Sequence, residues 1–102
     1  MKDSIRGRLE RTVERFEEVG ALLADPDVIG KPGRFKDLSV EYARLEPVAT
    51  RFREFGRLEL ERAKAVEMAG GADAEMRGLA EEEIRDLDAR IDAESAELAR
   101  LL

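Results

Sequence analysis

The 102-residue chain contains no cysteine, no histidine and no tryptophan. Without cysteine there is no disulfide framework and no thiolate for metal or nucleophilic chemistry. Without histidine there is no side chain that normally exchanges a proton near neutral pH. Proline is restricted to Pro26, Pro32 and Pro47, so long stretches carry no helix breaker. No apolar run approaches the ~18 residues that a bilayer-spanning helix needs. The opening Met1-Lys2-Asp3-Ser4-Ile5-Arg6 lacks the apolar segment of a secretory signal. These absences are those expected of a soluble cytoplasmic chain with no membrane contact. The formal net charge is -6. That field repels nucleic acid as a whole, so no free nucleic acid is expected as a partner. Contact with an RNA–protein assembly would have to use a local basic patch.

What is abundant is the alphabet of long helices. Ala, Glu, Lys, Leu and Arg account for 60 of the 102 residues, above the roughly 50% that signals long helices or coiled coils. These side chains lose little rotamer freedom in a helix. Hydrophobic residues reach 43% and recur at helical spacing, which a disordered polyampholyte would lack. The length suits one domain, residues 1–102, with one modest core.

The first helix is expected from an N-cap at Ser4 to about Ala24. Its apolar stripe is Ile5, Leu9, Val13, Phe16, Val19 and Leu23, in steps of three or four. Arg6–Glu10 and Arg11–Glu14 pairs are expected on the opposite face. Asp25-Pro26-Asp27 turns the chain, and Asp27 to Gly33 reads as a loop ending in Pro32, which suits the first position of the next helix. That helix carries Phe35, Leu38, Tyr42 and Leu45, with a kink or a split expected at Pro47. Beyond it, Val48, Phe52, Phe55, Ala63 and Val66 continue the rhythm to about Ala69, with Glu59 between Leu58 and Leu60 as an imperfection. Gly70-Gly71-Ala72-Asp73 is the second break, with Asp73 as a cap. The last segment places Ala80, Ile84, Leu87, Ile91, Glu94, Leu98 and Leu101 on a heptad seam. From Ala74 to Leu102 it would be about 43 Å long. The expectation is all-α: an elongated antiparallel bundle of three long helices, the middle one kinked or split near Pro47.

Candidates for chemistry are few. Glu81-Glu82-Glu83 could supply paired carboxylates, but acidic residues in a first helical turn are what the helix dipole favours. Asp25, Asp27 and Gly30 mimic the start of a calcium loop, yet Ile29 and Lys36 fall where oxygen ligands are required. Arg8, Arg11 and Arg15 share one helical face, as do Arg53 and Arg57, and these could meet phosphates. Glu10, Glu14, Glu54 and Glu61 lie among them, so a salt-bridged solvated face is the simpler reading. Met68 and Met76 read as core fillers at the second break. No catalytic, cofactor or metal residues are expected, and the chain is not expected to be an enzyme.

Several strings also look familiar in order and spacing. Ser4-Ile5, Leu9-Glu10 and Leu22-Leu23-Ala24-Asp25-Pro26-Asp27-Val28-Ile29 come first. Glu41-Tyr42-Ala43-Arg44-Leu45-Glu46-Pro47-Val48 follows, and Glu75-Met76-Arg77-Gly78-Leu79-Ala80-Glu81-Glu82-Glu83-Ile84 is the most distinctive. Together they resemble the N-terminal domain of bacterial peptide chain release factor 1, over essentially the whole chain. Two stretches depart from the family pattern: Lys31-Pro32-Gly33 stands where an acidic cap is usual, and Gly-Gly-Ala-Asp-Ala replaces an acidic-Pro turn before Glu75.

The resemblance implies a part in stop-codon-dependent termination on the ribosome. It implies contacts with the stalk base of the large subunit, with the recycling GTPase release factor, and with the methyltransferase that modifies the catalytic glutamine of release factors. The family's codon-reading Pro-x-Thr and catalytic Gly-Gly-Gln motifs belong to other domains. Pro47-Val48-Ala49-Thr50 is one residue too long for the first, and Gly70-Gly71-Ala72 lacks the glutamine of the second. A fragment of a longer protein is therefore expected. The competing expectation is a self-associating coiled-coil scaffold zipped along the Ala80–Leu101 seam, and an isolated domain with exposed apolar surface is open to homodimerisation.

Overall fold

The structure, a computed structural model, describes residues 1–102. It is all-α with four helices: α1 (Asp3–Leu23), α2 (Pro26–Ile29), α3 (Pro32–Ala69) and α4 (Ala74–Leu101). The three long helices lie where hydrophobic periodicity puts them. The differences are at their ends and at the proline.

Ser4 is not the cap of α1. Lys2 occupies that position with no side-chain hydrogen bond, and the Lys2 carbonyl accepts from the Arg6 amide at 3.0 Å. Asp3, inside the first turn, places negative charge at the positive end of the helix dipole. The segment expected as a loop from Asp27 to Gly33 begins instead with α2. The Asp25 carboxylate accepts from the Asp27 amide at 2.9 Å, and Pro26 at the first position has its φ already set for a helix. The loop shrinks to Gly30 and Lys31, and Pro32 opens α3 as expected.

Helix α3 does not split: it is continuous through Pro47. Proline leaves the carbonyl one turn back, at Ala43, without its amide partner. Ala43 and Pro47 are both exposed, so water can satisfy that carbonyl. On the opposite face Leu45 and Ala49 are buried with Phe16, which holds the helix on either side of the proline. At the far end of α3 the amides of Gly70 and Gly71 donate to the carbonyls of Glu67 and Met68 at 3.2 and 3.1 Å, and neither glycine has positive φ. The helix thus tightens to its stop rather than reversing through a left-handed cap. Asp73 does cap α4, accepting from the amides of Glu75 (2.9 Å) and Met76 (3.2 Å).

The chain forms two compact units, Met1–Phe52 with Leu102, and Arg53–Leu101. In the first, Phe16, Leu45 and Ala49 form one buried cluster, with Val13 and Tyr42 packed on it. Val19, Val28 and Leu38 form a second, flanked by Leu22, Leu23 and Tyr42. The Phe16 and Tyr42 rings stack with centroids 4.6 Å apart. In the second unit, Leu58, Ala65 and Leu87 are buried together, with Ile84 and Ile91 against them. Here the expected stripe shifts. Ala63 and Val66 are exposed, and Leu58 and Ala65 take the buried positions. Phe35 and Leu101 are also exposed.

Candidate functional site

The residues singled out for chemistry separate into caps, paired charges and presented charges. Asp25 is engaged as the cap of α2, which accounts for the apparent calcium loop. No group of three or more carboxylates gathers where a metal ion could sit. Glu81, Glu82 and Glu83 lie exposed about two turns into α4, so the first-turn expectation fails for them; Glu75 is the acidic residue of that turn. The hydroxyls of Thr12 and Ser39 donate to the carbonyls of Arg8 and Phe35, one turn back, at 2.9 and 2.8 Å. Met68 and Met76 are not core fillers: they are 46% and 41% exposed. The Pro47–Thr50 string lies inside α3, and Gly70–Ala72 lies in the link to α4.

Two arginine–carboxylate pairs join one long helix to the next, α1 to α3 and α3 to α4, and the residues alone do not reveal them because each spans 26 positions. Arg15 of α1 donates through Nε and Nη2 to the two oxygens of Glu41 on α3, at 2.8 and 2.7 Å, and through Nη1 to Glu18 at 3.0 Å. Arg62 of α3 donates through Nε and Nη2 to Asp88 of α4. The forked guanidinium fixes orientation as well as charge. On the exposed side of α3, Arg57 pairs with Glu54 and Glu61, as a salt-bridged face requires. Arg77 was also missed: its Nη1 donates to the carbonyls of Gly71 (3.0 Å) and Ala72 (2.8 Å) and ties the link to the first turns of α4.

The face of Arg8, Arg11 and Arg15 departs from the salt-bridged expectation. The Arg6–Glu10 and Arg11–Glu14 pairs do not form, and neither glutamate is engaged by these arginines. Arg8, Arg11 and Arg15 instead line a shallow depression of about 330 Å³ together with Arg44 and Glu41 of α3. Arg8, Arg11 and Arg44 form no ion pair. A second groove, of about 240 Å³, is lined by Lys64, Ala65 and Met68 of α3 and by Leu79, Ala80 and Glu83 of α4.

Glu41 gives the first unit a pH dependence. The hydrogen bonds from Arg15 hold its carboxyl below the ordinary glutamate range; partial desolvation opposes this, and the fields of Arg15 and Arg44 add to the lowering. In the unfolded chain the carboxyl returns to its ordinary value. Its stabilising contribution is therefore complete above the ordinary glutamate range and is lost as pH falls through the lowered folded value. Urea midpoints measured from about pH 6 to about pH 3 should fall less steeply for Glu41→Gln than for the parent. The limb should not become flat, because Arg57 holds Glu54 below its ordinary range in the same way.

The fold and these contacts define an all-helical module whose organised polar groups are helix caps and interhelical pairs. A family model for the PCRF domain matches residues 12–102, and the chain belongs to that family, a domain of the peptide chain release factors of translation termination. No solved structure matches the chain. No helix is long and apolar enough to cross a membrane.

Proposed function

We propose that the chain is the N-terminal, partner-binding domain of a factor of the release factor 1 type, which docks on the ribosome during stop-codon-dependent termination and does not itself carry out hydrolysis. The observation that carries this reading is the PCRF domain match over residues 12–102. The strings that resemble release factor 1 add to it. In those strings Asp25 and Pro26 start α2, Glu41 and Tyr42 meet Arg15 and Phe16, and Arg77 closes the last link.

On this reading residues 1–102 form one cytoplasmic domain. The family match runs through both compact units, and α3 belongs to both. The partners are the stalk base of the large ribosomal subunit, the recycling GTPase release factor and the glutamine methyltransferase of release factors.

Peptide release from ribosomes that carry peptidyl-tRNA at a stop codon tests the non-catalytic part. The chain alone should release no more peptide than buffer, and codon-dependent release would overturn the proposal. A self-zipping coiled coil is less well supported. Leu87 of its seam is already buried against Leu58 and Ala65, with Ile84 and Ile91 beside it. A second copy could use that seam only by displacing α3.

A further inference from the structure

We infer that the arginine-lined depression on the first unit is a docking site for the phosphate backbone of structured RNA. The inference rests on the ribosome-binding reading above and names the chemistry through which one contact is made. Arg8, Arg11 and Arg15 recur at three and four residues along α1, so they rise about 10 Å along one face. Arg44 completes the rim from α3.

The depression gathers four guanidinium groups around one acidic side chain, Glu41, with the chain-terminal residue Leu102 also on its lining, and the Glu41 carboxylate is already held by both arms of Arg15. Three of the four cations, those of Arg8, Arg11 and Arg44, are left for an external anion. All four are arginine rather than lysine, in a form suited to bidentate phosphate contact. The expectation of no free nucleic acid as a partner rests on the net charge of -6 taken over the whole chain; this positive field is local and supplies the basic patch that an RNA contact requires. A broad and shallow surface without stacking aromatics suits a duplex backbone rather than unstacked bases. Arg8, Arg11 and Arg44 are exposed, so such a contact needs no rearrangement of the core.

The test is fluorescence anisotropy with a labelled RNA duplex of about 20 base pairs. With about three phosphate contacts, affinity should fall roughly 15- to 40-fold between about 50 and about 200 mM salt. The triple variant Arg8→Gln/Arg11→Gln/Arg44→Gln leaves the Arg15–Glu41 pair intact. It should bind at least about tenfold more weakly, with most of the salt dependence gone. A control, Lys31→Gln/Arg34→Gln/Lys36→Gln, removes the same charge from elsewhere on the first unit and should bind much as the parent does. Circular dichroism should show parental helicity in both variants.

Equal RNA affinity in the triple variant and the parent would overturn the inference, as would equal losses in the two triple variants. Binding to anionic phosphatidylserine vesicles without binding to RNA would also overturn it. Ribosome sedimentation separates the two readings: if the parent binds ribosomes but not RNA duplex, the inference fails and the proposed function stands.

Discussion

Leu87→Ala is expected to destabilise the chain by about 2–5 kcal/mol, the range for removing a buried leucine side chain. Leu87 is 1% exposed and sits with Leu58 and Ala65, flanked by Ile84 and Ile91. Its neighbours lie on α3 and α4, which are fixed by their own hydrogen bonds, so they can close only part of the void. A loss of that size is a large share of the 5–15 kcal/mol by which small domains are stable. Urea unfolding followed by far-UV circular dichroism checks it. Leu60 provides the contrast: it is 56% exposed on α3, and Leu60→Ala should stay within about 0.5 kcal/mol. If the two variants were equally stable, the proposed core of the second unit would be wrong.

Phe16→Ala should act with similar force in the first unit, at about 3–5 kcal/mol. The ring is buried with Leu45 and Ala49 and stacks on Tyr42 at a 30° interplanar angle. Such a pair contributes roughly 0.5–1.5 kcal/mol beyond its buried area. The site also holds the two residues that bracket Pro47 in α3, so removing the ring withdraws the packing that keeps the helix continuous there. The chain has one tyrosine and no tryptophan. Tyr42 fluorescence therefore reports on this cluster, and its transition should move to lower urea in Phe16→Ala. Phe16→Leu, which retains most of the apolar volume, should recover much of the loss. A fluorescence transition unchanged in Phe16→Ala would contradict the stacked arrangement.

The long helices were legible in the sequence because periodicity is a local signal. Leu9, Phe16 and Val19 on α1, and Ala80, Leu87 and Leu98 on α4, are buried as their spacing requires. The phase of α3 was harder to read. Near Leu58, apolar residues occupy more than one face, and only the neighbouring helix decides that Leu58 and Ala65 are buried while Leu60 and Val66 are not. At Pro47 local propensity allows a kink or a split; the split does not occur, because packing at Leu45 and Ala49 holds the helix on either side of the proline. Residue type alone suggests a core for Met68 and Met76, but type does not specify direction, and both are exposed. The interhelical partners Glu41 and Asp88 were hidden by sequence distance, and the reach of Arg77 back to Gly71 and Ala72 depends on the shape of a turn. The familiar strings carried information that periodicity did not, since several of their residues turn out to make caps and interhelix contacts.

The central claim is that this release-factor domain binds ribosomes. Sedimentation of the chain with ribosomes paused at a stop codon tests it most directly. The chain should pellet with ribosomes in a saturable manner, and peptide should stay on the tRNA. A chain left wholly in the supernatant at low salt, with its helices intact by circular dichroism, would contradict it.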